Sequence, residues 1–317
     1  MALLGRFSAF LRSRGLFKNW FWAGVRYMLI KYGLIKGDVD VTFRCGVRAR
    51  LSLAAYSWLV SMHGRGSLRL ASCGDDAAYL RYTHGGAAAE IGVRSGDTFV
   101  IRYMGRDVVL FLNGFSDAIF DVLFENFLGG TYDDLSVDGR VVVDVGAGVG
   151  DTAILFALRG ASRVIALEPY PALYSIALRN IELNNVKGSV ILLNAGLGSS
   201  DYYACGGYEA PSDYAVFRPS DKCDVKVRIY TPESLIKELG IDDAVLKMDC
   251  EGCEYEVFRS MKPETIRRFK ELIIEYHNGP EPMASMLKNH GYEVTIKPIR
   301  SADIPINKQG YILATIK

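Results

Sequence analysis

The 317-residue chain lacks a dominant charge: 37 Lys and Arg stand against 36 Asp and Glu. Near-neutrality supplies no global field to draw nucleic acid or an anionic membrane, although it leaves room for a local basic patch. Cysteine and histidine are scarce, at six and four copies. Six cysteines at this length are not the dense disulfide framework of a small secreted scaffold. Cys45 and Cys73 stand far apart. Cys205 and Cys223 bracket a polar, aromatic insertion and could pair in an oxidising compartment, and Cys250 and Cys253 form a CxxC. One CxxC falls short of the four N/S ligands zinc takes, so both are expected as small thiols beside a functional loop. Internal repeats and low-complexity tracts are absent as well. With half its residues apolar and 23% charged, the chain can bury a large core, as one large domain or two modest ones.

The first 37 residues lack acids altogether, and their longest apolar run, Trp20 to Val25, is closed by Arg26. That is far short of the roughly 20 residues of a membrane span, and no small-residue cleavage site marks a signal peptide. Phe17, Phe21, Val25, Met28 and Tyr32 fall at helical spacing. An amphipathic helix is expected, docked on its own domain or resting at a membrane interface. Cytoplasmic placement with peripheral membrane contact is the resulting expectation.

From Asp38 the texture changes to short segments such as "VDVTFRC", "RARLSL", "SLRLAS", "AYLRYTH", "TFVIRYMG" and "DVVLFLN". They predict a β-rich module over 38–115, with a helix near Ala54 to Met62. From Ser116 the pattern turns helical ("DAIFDVLFENFLGG"), and from Val141 strands alternate with helices. Strands are expected at 141–145, 163–167, 189–194, 244–249, 271–276, 292–297 and 311–316, with helices at 151–159 and 171–184. Such alternation predicts an α/β fold over 116–317, a mostly parallel sheet with helices on both faces. Ligands of such sheets sit at the carboxyl ends of the strands. The stretch "SSDYYACGGYEAPSDY" reads as the longest irregular segment.

In "VVVDVGAGVGDTAI" a carboxylate, Asp144, ends an apolar strand, and Gly146, Gly148 and Gly150 open the next turn. A dinucleotide fingerprint wants a glycine where Asp151 stands. Asp144 and Asp151 would repel a diphosphate and suit an ammonium or sulfonium group. Glu168, ending "VIALE" twenty positions after Gly148, is placed to accept ribose hydroxyls. These residues in order point to S-adenosylmethionine, its amino-acid end over Gly146, Ala147, Gly148, Gly150 and Thr152 and its ribose at Glu168 and Pro169. Asn194, ending the third strand, is expected to meet the adenine.

"VVVDVGAGVGDTAILFA", "VIALEPYP", "NIELNN", "LKMDCEGCEYEVF" and "LIIEYH" resemble the FkbM family of class I methyltransferases over roughly Phe120 to Lys317. The resemblance implies a Rossmann-like seven-stranded sheet with an antiparallel last strand, and S-adenosylmethionine-dependent transfer, usually to oxygen. Cys250 and Cys253 depart from the small apolar residues expected there.

A hydroxyl acceptor must lose a proton during transfer. "KMDCEG" sets Asp249 at the fourth strand tip with Glu251 beyond it, and "IIEYH" sets Glu275 and His277 on one side of the fifth. His277 is the expected base, since imidazole titrates near neutrality, with Asp249 orienting it, touching the cofactor or serving as base itself. The same four side chains could instead gather a hard divalent cation. Glu254 and Glu256 are expected as solvent-facing helix-start charges. The expected acceptor is a small molecule, glycan or lipid. RNA is the alternative, disfavoured by the absence of a basic stripe, and a non-catalytic binding module is the third reading.

Overall fold

The computed structural model describes residues 11, 13–84, 87–112, 122, 125–207, 223, 225–299, 305 and 307–316. The chain divides into two compact units, Met1–Gly130 and Thr131–Lys317. The segment from Ser116 is counted with the N-terminal unit. Most of the helix read there lies outside the described residues, and Glu125–Gly129 forms a π-helical turn.

In the N-terminal unit, Val39–Thr42 (β1) and Arg48–Leu51 (β2) pair antiparallel. Their alternation buries Val39, Val41, Ala49 and Leu51 on one face. Leu68–Cys73 (β3), Ala78–His84 (β4), Ala87–Arg94 (β5), Thr98–Tyr103 (β6) and Arg106–Phe111 (β7) follow as an antiparallel meander. β5 escapes sequence reading because "AAAEIGVR" opens on three alanines and carries a glycine, residues depleted in strands. Gly92 is required there, since a Cβ would come within 3.0 Å of the Tyr79 ring and of Val100. Helix Leu53–Gly64 forms as expected, capped by the Ser52 hydroxyl accepting from Ala55 N at 3.2 Å.

The N-terminal helix runs Trp20–Lys31, and its docked face is not the expected stripe. Its buried residues are Ala23 and Gly24, while Phe21, Trp22 and Met28, together with Tyr32 just past its end, are exposed. Phe17 precedes the helix and is fully buried, stacked on Tyr56 at 5.6 Å. Small side chains let the helix backbone approach its own unit closely, which turns the aromatic rings outward. Among the described residues no helix is long and apolar enough to cross a membrane.

The C-terminal unit is built on a seven-stranded sheet. Its strands are Val141–Val145 (β8), Arg163–Leu167 (β9), Val190–Leu193 (β10), Ala244–Met248 (β14), Phe269–Tyr276 (β15), Glu293–Pro298 (β16) and Gly310–Thr315 (β17). The order is β10-β9-β8-β14-β15-β17-β16, parallel from β10 to β15, with β17 antiparallel to both its neighbours. Rossmann-like architecture with an antiparallel last strand is thus the observed fold. Strand order reverses between β8 and β14, which opens a crevice at their carboxyl ends. Val142, Val143, Val245 and Leu246 are buried because these central strands are covered on both faces.

A separate small sheet joins Ala195–Leu197 (β11), Tyr202–Gly206 (β12) and Val225–Tyr230 (β13) in the order β11-β13-β12. Part of the stretch read as irregular is therefore β12, an edge strand that takes its order from β13, far along the chain. Residues 208–222 lie outside the described residues.

All six cysteines are paired, as Cys45–Cys73, Cys205–Cys223 and Cys250–Cys253. Only the second pair was foreseen. Cys45 and Cys73, 28 positions apart, are brought to a Cα separation of 5.9 Å.

Candidate active site

The glycine turn leaves β8 at the switch point. Gly146 N and Ala147 N both donate to Leu167 O at 3.0 Å, tying the turn to the end of β9. Each glycine has its own reason. Gly146 has φ +78, and a Cβ there would lie 1.8 Å from Asp249 O. A Cβ on Gly150 would press on Ala177 at 3.0 Å, where helix Asp151–Leu158 starts against helix Pro171–Leu183. Gly148, with φ +51, faces nothing within 4 Å. The turn is packed on two sides and open on the third.

Beneath it lies an ion pair that sequence reading missed. Asp144 and Lys247 are register partners on β8 and β14, and their charges meet at 3.2 Å with 0% and 2% side-chain exposure. Thr152 Oγ1 donates to Asp144 at 2.6 Å, and Lys247 Nζ donates to Gly146 O at 2.7 Å. Burial alone would lower the lysine pKa; Asp144, then Asp249 and Asp151, override it and hold the ammonium charged. Asp144 was expected to face a cationic ligand. Its charge is met by Lys247 instead, and it has no accessible surface, so it holds the turn from below. The available signal was a lysine in the otherwise apolar "AVLKM", since buried lysines are paired.

Glu168 is where the sequence places it, at the tip of β9 beside the turn. Its carboxylate accepts from Gly148 N at 2.9 Å and from Tyr170 N at 2.8 Å. Burial pushes its pKa up to about 7, against those two donors, which lower it. Asn194 donates to Glu168 O at 2.9 Å and Pro169 O at 3.0 Å, so its amide nitrogen is spent on fixing the loop after β9.

The second half of the site stands at the tips of β14 and β15. Asp249 N donates to Val145 O at 3.1 Å, continuing the β8–β14 ladder. Glu251 follows with φ +57, an uncommon conformation for a residue with a side chain. His277 Nε2 lies 3.4 Å from Glu251 and 3.6 Å from Glu275, and its Nδ1 lies 3.8 Å from Glu254. Glu254 was expected in solvent. It is fully buried, accepting from Cys250 N and Gly252 N at 2.9 Å each, so it caps the loop from within. Burial, then Asp249, raise the Glu275 pKa to about 7, with Gln309 and His277 opposing. Asp249 Oδ1 and both His277 nitrogens are buried without a hydrogen-bond partner. Tyr132 packs edge-on against Phe156, with ring centroids 5.7 Å apart. It is buried, and desolvation followed by the charges of Asp249, Tyr311, Glu275 and Asp144 keeps its phenol protonated.

Residues 144–294 match the family described as Methyltransferase FkbM domain. The C-terminal unit carries an FkbM methyltransferase domain. Its methyl donor is S-adenosylmethionine. The ribosomal protein L11 methyltransferase of Carboxydothermus hydrogenoformans is 39% identical over 59 residues, 19% of this chain and 19% of that protein. The chain thus matches about a fifth of the length of that curated relative. Among solved structures, the precorrin-6y C5,15-methyltransferase of Geobacter metallireducens is similar with a TM-score of 0.36 and 16% identity, over 63% of this chain and 90% of that one. The ribosomal protein L11 methylase of Lactobacillus delbrueckii subsp. bulgaricus gives 0.38 and 14%, over 64% and 81%. Nothing about the acceptor follows from likenesses of this order.

The FkbM domain's own residues fit the nucleoside end of that donor. The open side of Gly148 gives it room, and the buried Glu168 carboxylate lies directly beside it, against Gly148 N.

Proposed function

We propose that the FkbM domain methylates a hydroxyl oxygen of a sugar, glycan, lipid or secondary metabolite. The observation that carries this reading is the group formed by Asp249, Glu275 and His277, next to the glycine turn across the Gly146–Asp249 contact. S-adenosylmethionine supplies a methyl group already activated by its sulfonium. The chain's part is to hold the acceptor in line, worth several kcal/mol of barrier when the geometry is close, and to take its proton, worth on the order of 10²–10⁴-fold. The turn and Glu168 hold the donor's nucleoside; the carboxylate–imidazole group receives the hydroxyl proton in a partly buried setting.

His277→Ala is expected to lower turnover at least about a hundredfold while calorimetric affinity for S-adenosylhomocysteine stays within twofold; unchanged turnover would remove His277 from the chemistry. The acceptor class is tested by incubating the protein with methyl-labelled donor and fractionated cell extract. Label is expected in the glycan, lipid or small-molecule fractions, and label confined to RNA or protein would overturn the O-methylation reading.

A further inference from the structure

The loop after β14 and the end of β15 bring together three side chains of metal-ligand type. One ligand atom each from Asp249, Glu251 and His277 can be chosen so that all lie within 4.8 Å of one another. Two ligands at roughly 2.1–2.2 Å from a metal stand about 3–4.4 Å apart; the His277–Glu251 pair, at 3.4 Å, falls in that range, and the outer limit of the set lies a few tenths of an ångström beyond it.

The second observation is the state of those atoms. Asp249 Oδ1 and both ring nitrogens of His277 are shielded from solvent and make no hydrogen bond. The separations of 3.4–3.8 Å from His277 to Glu251, Glu275 and Glu254 are too long for direct hydrogen bonds. Buried polar atoms left without partners are costly, and their convergence calls for a specific occupant. The loop is also held in place: Glu254 accepts from the Cys250 and Gly252 amides, and the Cys250–Cys253 disulfide closes it around Glu251. Charge agrees. Four carboxyl groups, Asp249, Glu251, Glu254 and Glu275, surround a single imidazole, with Lys247, paired to Asp144, the one buried ammonium nearby among the described residues.

We propose that Asp249, Glu251 and His277 bind one divalent first-row cation of the Mn²⁺ type at the acceptor side of the cofactor turn. Two carboxylates and one imidazole give a mixed O/N donor set, harder than a zinc-finger site and softer than an all-oxygen magnesium site. Glu254 lies behind Nδ1 at 3.8 Å, its oxygens taken by the Cys250 and Gly252 amides. The proposal rests on the O-methyltransferase reading for its purpose. Positions on the ion left free by the three side chains take the acceptor hydroxyl and make its proton easier to lose. The O–H bond breaks and the proton passes to Glu275. The oxygen forms the new C–O bond as the S–CH₃ bond breaks, and that electron pair stays on sulfur as a neutral thioether. His277, its lone pair on the ion, is then a ligand and not the base that sequence alone suggests.

The test uses full-length protein stripped with chelator, with Mn²⁺ as probe, followed by calorimetry and by the loss of the free-ion EPR signal. One Mn²⁺ per chain is expected, with affinity falling at least tenfold in His277→Gln and in Glu251→Gln. Glu251 lies on the loop, so this second variant reports even if the first misfolds, and circular dichroism checks both. Failure of wild-type protein to take up Mn²⁺, or equal binding by both folded variants, would overturn the site. S-adenosylhomocysteine affinity measured in parallel separates the two ideas. Cofactor binding without Mn²⁺ uptake sinks only the cation, whereas Mn²⁺ uptake without cofactor binding sinks the methyltransferase reading and keeps the site.

Discussion

Lys247 and Asp144 lie 103 positions apart in the chain and opposite one another in the sheet, where each answers the other's buried charge. Removing one partner of such a pair costs about 3–5 kcal/mol, because the survivor stays charged in a dry interior. Lys247→Met is therefore expected to lower unfolding free energy by about that amount in urea titration. The double variant Lys247→Met/Asp144→Asn is expected to recover a substantial part of it, and an additive double variant would show that the two charges do not meet. Glu168 makes a different prediction. Its carboxyl is held up at about 7 by burial, so in the free protein it favours the protonated form below that value. The stability it contributes is full below the ordinary carboxylate range and is lost as pH rises through about 7. Ribose hydroxyls donate to the ionised form, so binding releases a proton, and affinity for S-adenosylhomocysteine rises with pH up to about 7, by at most about tenfold per unit, and levels above it. Calorimetry at pH 6, 7 and 8 checks this, with Glu168→Gln expected to be weak and flat.

At the scale of elements, the glycine turn separates packing from ligand space. Gly146→Ala places a methyl 1.8 Å from a backbone oxygen at φ +78, and is expected to cost more than about 3 kcal/mol, or to prevent folding, as strained core substitutions do. Gly148→Ala bears only the left-handed strain of about 1–2 kcal/mol, and its methyl enters open space. The fold is expected to survive with cofactor affinity at least tenfold weaker; full affinity in this variant would put the donor elsewhere. The sheet strands were legible within two residues of their ends, since continuous apolar runs bounded by turns mark buried parallel strands. β5 and β12 were not, because alanine, glycine and paired tyrosines gain strand structure from their neighbours and not from their own propensity.

For the whole molecule, the two units carry different prospects. The N-terminal unit holds out its aromatic helix, with Trp22 71% exposed and Lys18, Lys31 and Lys36 exposed along the same segment. Apolar rings among cations suit the interface of an anionic bilayer. The C-terminal unit holds the cofactor turn and the acidic group, at the carboxyl ends of β8, β9, β14 and β15.

Sequence by itself determined the parallel α/β class, the placement of the glycine turn after β8, Glu168 beside it, and the adjacency of Glu275 and His277. Each of these is a local fact, set by periodicity, by the need for a missing side chain, or by spacing along one strand. Tertiary structure alone decided that Asp144 is neutralised by Lys247, that Glu254 is buried and that Cys45 meets Cys73. These depend on which residues the sheet register and loop closure bring together from distant parts of the chain. A sequence states how many charges it carries; only the folded chain states which of them share a dry interior.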